Sequence, residues 1–191
     1  MLGHATLGSP DGAAETCVSP HVCLLDSLHD SPIARVARVI TNRPNAGALD
    51  RARRAAVPTT VLKDPTDANE LLAALRDAQL VVLAGYLKLV PLGVVGRFRW
   101  RMINIHPALL PDFGGPGMYG HRVHEAVLAS GAKESGATVH FVDEVFDHGK
   151  IIAQERVPVL EGDTPERLAA RVLEAEHRLL PRAVLELARN M

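Results

Sequence analysis

An amide and an imidazole stand two residues apart where an apolar stretch of the sequence ends. Residues 102–107 are Met-Ile-Asn-Ile-His-Pro, so one apolar residue separates Asn104 from His106. Side chains two apart on a strand point to the same side, and Pro107 cannot continue a strand ladder. An amide beside a group that carries a proton near neutral pH suits a polarised carbonyl and a proton transfer. The alternative is that both residues satisfy backbone groups at a strand end.

Two further segments could complete such a site. Residues 108–120 contain four glycines and two prolines, a composition typical of loops that cover a ligand. Asp147 is followed by His148 and Gly149. A carboxylate near His106 would favour the imidazolium, raise the pKa of His106 and make it a better-populated general acid. The alternative for Asp147 is a turn residue that bonds its own backbone.

The composition limits the class of protein. The chain has 191 residues, of which 47% are hydrophobic, and a net charge of −1, which indicates one globular domain of α/β size. The charge gives no argument for a nucleic acid or an anionic membrane as partner. No apolar run is long enough to span a bilayer and no leader opens the chain, so we expect a cytoplasmic protein. Cys17 and Cys23 do not make a disulfide framework, and with His21 they are too few for structural zinc, so no metal is expected.

Strand patterns alternate with helix patterns along the chain. The apolar run 80–84 is typical of a parallel strand that is covered on both faces. The residues from 99 to 106 form the next predicted strand. Residues 137–142 and 151–159 are joined by a short connection, which favours antiparallel pairing at one edge of the sheet. Thr164 is predicted to cap a long final helix that runs towards residue 189.

These elements predict an α/β fold. We expect a single Rossmann-like domain over residues 1–191, with a mostly parallel twisted sheet, an antiparallel edge in the C-terminal half and a long C-terminal helix. Residues 1–23 show no period and are expected to be atypical, as a disordered or altered segment. Ligands of open sheets bind outside the carboxyl ends of the strands. This rule brings together residues 85–90, 104–106 and 143–150.

Four stretches carry a resemblance to a known family. NIHPALLPDFGGPGMYGHRVHEA, residues 104–126, is similar to the signature of the phosphoribosylglycinamide formyltransferases, the folate-dependent enzymes of purine synthesis. Residues 41–58, 81–91 and 134–154 resemble other conserved stretches of that family. The resemblance implies transfer of a formyl group from 10-formyltetrahydrofolate to the amine of glycinamide ribonucleotide. It implies small-molecule substrates, no metal, no nucleic acid or membrane partner, and a monomer or homodimer.

The resemblance also assigns roles to matching residues. Asn104 would hydrogen-bond the formyl oxygen, His106 would be the acid and base, and Asp147 would position His106. The folate would lie against the loop after the 80–84 strand and beside Asn104; the loop residues are Leu87, Lys88, Leu89 and Val90. Glu176 matches the acid that bonds the ribose hydroxyls of the nucleotide, although its position in the helix pattern alone is typical of a solvated residue. His124 and His140 read as structural residues, each satisfied by a neighbour, and no role follows for His121.

The resemblance fails at the N-terminus. The family opens with an apolar strand and a Gly-Ser-Gly-type loop whose backbone amides hold the substrate phosphate. Here the only candidate runs from Gly8 through Ser9 to Gly12, where Pro10 removes a donor and Asp11 adds a negative charge. A non-catalytic folate-binding paralogue is therefore one alternative. Others are a formyltetrahydrofolate hydrolase or another folate-dependent N-formyltransferase, which the residues FGGPGMYGHRVHEA and PNAGALDRA disfavour.

Overall fold

The computed structural model describes residues 20–191. Gly8, Ser9, Gly12 and Cys17, which the sequence singled out, lie outside this range. The helices and strands follow one another as α1 (Pro20–Leu28), β1 (Val39–Thr41), α2 (Gly47–Arg54), β2 (Thr59–Val61), α3 (Ala68–Ala74), β3 (Val81–Leu83), α4 (Leu92–Arg97), β4 (Met102–His106), α5 (His121–Ala129), β5 (Glu134–Phe141), β6 (Ile151–Pro158) and α6 (Pro165–Arg189). Within that range, no helix has both the length and the apolar character needed to cross a bilayer.

The strands confirm the α/β class and the antiparallel edge. β3 and β4 pair in parallel, and β4, β5 and β6 continue the same sheet antiparallel. Two details differ from the expectation. The described strands form two sheets, because β1 and β2 pair only with each other. The antiparallel part also includes the β4–β5 pair, since the long loop and α5 between those strands leave the chain free to return in either direction.

Side chains alternate across β4 and pack against helices on both faces. Ile103 and Ile105 belong to a core cluster with residues of α1, α5 and α6. Met102 belongs to a second cluster with residues of α3 and α4. Because alternate strand residues share a face, Asn104 and His106 lie on the same side as Met102. The sequence-based prediction that the two polar side chains stand together is consistent with this packing.

The final helix begins as predicted. The Thr164 side chain accepts a hydrogen bond from the backbone N–H of Arg167, and Pro165 occupies the first turn. α6 packs against α1, α5, β5 and β6, so residues on most of its circumference are buried. This wide contact places Glu176 inside the protein, with 7% of its surface exposed. The reading of Glu176 as a solvated residue is therefore wrong.

Candidate active site

The register of the sheet brings polar side chains from β4 and β5 together. Asn104 pairs with His140 across the two strands, and His106 pairs with Thr138. Paired residues on neighbouring strands present their side chains on the same face. His106, Thr138 and His140 are all buried, whereas Asn104 is only partly buried. The site therefore has a closed interior and an amide at its mouth.

The His106 imidazole contacts a carboxylate on one side and a backbone carbonyl on the other. Its Nδ1 lies 3.5 Å from Oδ2 of Asp147, and the two side chains are 4% and 11% exposed. Its Nε2 lies 2.9 Å from the carbonyl oxygen of Phe113. Because a carbonyl oxygen only accepts hydrogen bonds, Nε2 carries a proton in this arrangement.

Asp147 is both a turn residue and a site residue. Its backbone has a φ of 54°, a left-handed conformation that aspartate tolerates better than most residues. Its side chain does not fold back onto its own turn. Oδ2 accepts a hydrogen bond of 2.9 Å from the backbone N–H of Gly115, and Oδ1 lies 3.5 Å from Nε2 of His140. Asp147 therefore lies in a turn, but its side chain faces the site instead of bonding its own backbone.

Burial dominates the electrostatics of His106. Loss of water around the ring lowers the pKa of His106, and this effect exceeds the opposing influence of the Asp147 carboxylate and of the Phe113 carbonyl. The Asp147 carboxylate raises the pKa of His106, as the sequence predicts, but burial outweighs it, so the net shift is downward and the ring is not the better-populated acid that was expected. For Asp147, burial would raise the pKa, but the contacts with His140 and His106 and the Gly115 N–H together lower it. The pair at neutral pH is a neutral imidazole beside a carboxylate.

Two glycines allow the loops around Asp147 to pack closely. A Cβ on Gly149 would overlap the carbonyl oxygen of Phe141, so the segment after Asp147 can return to β5 only with glycine at this position. A Cβ on Gly114 would lie 2.6 Å from Cδ2 of Leu110 and 3.1 Å from Cβ of Asp147. The glycine-rich loop is therefore pressed directly against the carboxylate residue.

A second hydrogen-bond group holds the segment after His106. The Thr138 hydroxyl donates to the carbonyl of Ala108 over 2.6 Å and accepts from the backbone N–H of Leu110 over 3.1 Å. The Gln154 amide donates to the carbonyl of Leu110 and to the Thr138 hydroxyl, both over 2.9 Å. These contacts join β5 and β6 to the loop and so fix where the loop leaves β4. Neither Thr138 nor Gln154 is recognisable as a site residue in the sequence, because their roles depend on strand register.

The proposed folate loop lies next to this site. Leu83, the last residue of β3, is paired with Asn104 on β4, so the chain after β3 leaves the sheet at the level of the amide. Lys88 and Leu89 are exposed, Leu87 is half-buried and Val90 is buried in the core. Tyr86 anchors the segment because its hydroxyl donates to the carbonyl of Pro65 over 2.7 Å. Val90 can therefore offer a ligand only its backbone.

Glu176 is a buried acid in the core. Burial raises the pKa of its carboxyl group to about 8, because a low-dielectric surrounding disfavours the charged form. The carboxyl group is therefore protonated at neutral pH. A protonated carboxyl can donate as well as accept a hydrogen bond, which suits an alcohol as partner.

The remaining histidines divide into two kinds. Both ring nitrogens of His140 have partners, which are Phe141 and Asn104. Nδ1 of His124 is buried and has no hydrogen-bond partner in the described part of the chain, so the expectation of a satisfied ring is wrong for that nitrogen. Burial, together with nearby His121 and His106, lowers the pKa of His124 to about 4. His121 makes a contact of 3.8 Å with Glu166 at the surface.

Residues 20–191 contain no group of three or more histidine, cysteine or acidic side chains that could hold a metal ion. The polar groups of the site are an amide, two imidazoles and one carboxylate. These groups can donate a hydrogen bond to a developing oxyanion and can accept and release a proton.

Comparison with known proteins gives consistent results. The model of the formyl transferase family matches residues 15–184. A protein of Arabidopsis thaliana named phosphoribosylglycinamide formyltransferase, chloroplastic, is 48% identical over 153 residues, which are 75% of this chain and 52% of the plant protein. A protein of the same name from Vigna unguiculata is 46% identical over 161 residues, 80% of this chain and 50% of its own. The chain thus spans about half the length of these curated relatives.

Similar solved structures are covered by this chain over a larger share of their own length. The phosphoribosylglycinamide formyltransferase of Anaplasma phagocytophilum superposes with a TM-score of 0.82 at 35% identity, covering 89% of this chain and 81% of the other. The glycinamide ribonucleotide transformylase 1 of Symbiobacterium toebii gives 0.80 at 39% identity, with 90% and 82% covered. The chain therefore belongs to the formyl transferase family, among the phosphoribosylglycinamide formyltransferases.

Proposed function

We propose that this protein transfers a formyl group from 10-formyltetrahydrofolate to the amine of glycinamide ribonucleotide, a step of purine synthesis. The observation that carries the proposal is the meeting of Asn104, His106 and Asp147 at one end of β4, with the imidazole and the carboxylate 3.5 Å apart. Family membership supports the same reaction. The groups present match what an acyl transfer to an amine requires.

The reaction places charge at two atoms. When the amine nitrogen attacks the formyl carbon, the carbon–oxygen double bond opens and the oxygen becomes negative while the nitrogen becomes positive. Asn104 donates an N–H to that oxygen, a contribution typically worth about 3 kcal/mol of transition-state stabilisation. Its partial exposure leaves it accessible to a substrate at the mouth of the site.

His106 moves the proton. Its lowered pKa leaves the ring neutral at neutral pH, so the ring accepts a proton from the positive nitrogen and then gives it to N10 of the folate as the carbon–nitrogen bond breaks. Asp147 stabilises the transient imidazolium through Nδ1. In the structure Nε2 holds the hydrogen of the neutral ring and donates it to the Phe113 carbonyl. When the substrate displaces that contact, the neutral ring carries its hydrogen on Nδ1, facing Asp147, and Nε2 accepts and then releases the transferred proton.

Other residues bind the two substrates in this proposal. The folate lies against Leu87, Lys88 and Leu89 and pairs with backbone groups of the loop as far as Val90. Glu176 bonds the ribose hydroxyls as a neutral carboxyl. The segment that contains Gly8, Ser9 and Gly12 is the candidate for binding the phosphate in this proposal.

Turnover of 10-formyltetrahydrofolate by the purified protein, measured with and without glycinamide ribonucleotide, tests the proposal. We expect formylated ribonucleotide and tetrahydrofolate in equal amounts, and no reaction without the amine. Asn104→Ala is the control for a site-dependent reaction. Folate release without the amine would instead assign a hydrolase. Folate binding without any turnover would assign a non-catalytic protein.

We also propose a cytoplasmic location and a monomer or homodimer. Two plant relatives are named chloroplastic, so fractionation of the source cells is the direct measurement of location. Sedimentation of the purified chain measures its oligomeric state.

A further inference from the structure

His140 lies directly beside the amide of Asn104. The antiparallel register pairs the two residues across β4 and β5. On the other side of β5, the pairing with β6 shifts between Val139 and His140, a bulge of the kind that redirects side chains near active sites. The His140 ring is 2% exposed, so its hydrogen bonds are made within the protein.

The position of the proton on His140 follows from its partners. Nδ1 lies 2.8 Å from the carbonyl oxygen of Phe141, and a carbonyl can only accept, so Nδ1 carries hydrogen. In the neutral ring Nε2 is then an acceptor. This nitrogen lies 3.2 Å from the side-chain amide of Asn104. Only the nitrogen end of that amide can donate to it.

Asp147 competes for the same nitrogen of His140. Its Oδ1 lies 3.5 Å from Nε2, further than Asn104, and its Oδ2 already accepts the Gly115 N–H. His106 is the other titratable group that faces this carboxylate. A positively charged His140 would donate Nε2–H to Asp147 and would then attract the oxygen of the Asn104 amide instead of its nitrogen. The two charge states of His140 therefore require opposite orientations of Asn104.

On the basis of the proposed formyl transfer, we propose that His140 is a positioning residue that orients the Asn104 amide with its nitrogen towards the reacting carbonyl. One N–H of that nitrogen is donated to His140, and the second stays available for the formyl oxygen. The inverted amide would place its own oxygen against the developing oxyanion. The backbone carbonyl of Phe141 thus fixes the hydrogen on Nδ1 of His140, and His140 in turn fixes the orientation of the Asn104 amide.

Nitrogen NMR of the ¹⁵N-histidine-labelled protein tests the proton position without any activity measurement. We expect His140 as the neutral Nδ1–H form at pH 7, with Nε2 showing the shift of an unprotonated nitrogen. The signal that is missing from the spectrum of the His140→Gln variant is the signal of His140. A protonated Nε2 at pH 7, in either the cation or the other neutral form, would overturn the inference.

A double-mutant cycle tests the coupling to Asn104. We expect His140→Leu to lower kcat roughly tenfold to a hundredfold, less than the complete loss of an oxyanion donor, with KM for the folate within about threefold. In the Asn104→Ala background the same change should lower kcat by less than about twofold, because no amide is left to orient. His140→Gln should keep kcat within about fivefold, since its side-chain oxygen can accept from Asn104.

Two outcomes contradict the inference. One is an equal loss of kcat from His140→Leu with and without Asn104, and the other is a loss in His140→Gln as large as that in His140→Leu. If His140→Leu does not fold, the glutamine variant and the nitrogen spectrum still decide. If the wild-type protein forms no product, the proposed function is refuted but the inference about His140 is not, because the proton position on His140 is measured independently.

Discussion

The strongest prediction concerns the buried acid Glu176. Replacing its carboxyl group by an amide of the same shape, Glu176→Gln, removes a group whose pKa burial raises from 4.5 to about 8. In the unfolded chain a glutamate ionises near its ordinary value. The folded protein therefore binds this proton more tightly than the unfolded chain does. By linkage, the glutamate makes the protein less stable as the pH rises from 4.5 towards 8, and the loss then levels off.

The size of the effect follows from the same values. The free-energy penalty grows by about 1.4 kcal/mol per pH unit above 4.5 and reaches about 3 kcal/mol at pH 7. The glutamine variant carries no such penalty. We therefore expect Glu176→Gln to be more stable than the wild type at pH 7 by up to about 3 kcal/mol, with little difference at pH 4.5.

Urea denaturation followed by circular dichroism at pH 5, 6, 7 and 8 measures this gap. Glu174→Gln is the matched control, because Glu174 is exposed on α6 two residues earlier and reports the effect of the substitution itself. A gap between Glu176→Gln and the wild type that stays constant over this pH range would refute the reasoning. It would mean that Glu176 is ionised in the folded protein and has a compensating partner.

Four further predictions concern the loops and the site. His106→Ala should lower kcat by roughly a hundredfold to ten-thousandfold and leave the folate Kd, measured by calorimetry, within a few-fold; a large loss of binding with normal turnover would contradict its role. In the pH profile of kcat/KM, the apparent pKa of the acid limb should lie below the ordinary histidine value of 6.5, because burial lowers the pKa of His106. An apparent pKa above 6.5 would contradict the assignment. Gly114→Ala should lower kcat because the added Cβ would press on Asp147. Gly93→Ala is its control, because a Cβ at that position has no heavy atom within 4 Å; this variant should leave kcat unchanged and stabilise α4 by about 0.5–1 kcal/mol. Asp163→Asn should lower Tm at pH 7, because Arg171 and the Leu160 N–H hold the pKa of Asp163 at about 2; this stabilisation is present above pH 3.8 and is lost as the pH falls towards 2, so the two Tm curves should converge there.

The catalytic segment shows how far pattern reasoning reaches. An apolar run that ends in Asn-Ile-His-Pro predicts two polar side chains on one face of a strand, because the alternation of a strand is fixed by backbone geometry. The packing of Ile103 and Met102 into different core clusters agrees with that prediction. The Thr164 cap and the long final helix follow from equally local rules. Each of these predictions needs only neighbouring residues.

Asp147 and His106 mark the limit of that reasoning. The sequence placed a carboxylate near the imidazole, and the structure places them 3.5 Å apart. The carboxylate raises the pKa of His106 as predicted, but the net change is downward. Burial outweighs the carboxylate at His106, and burial depends on everything that packs around the ring.

Local sequence thus determined which side chains share a face, where helices begin, and which family the chain resembles, because these depend on short spacings along the chain. The tertiary structure decided that β5 runs antiparallel beside β4, so that His140 and Thr138 enter the site. It also decided that Glu176 lies in the core. Register and burial arise from contacts between residues far apart in the chain, and side chains acquire their proton affinities only in those surroundings.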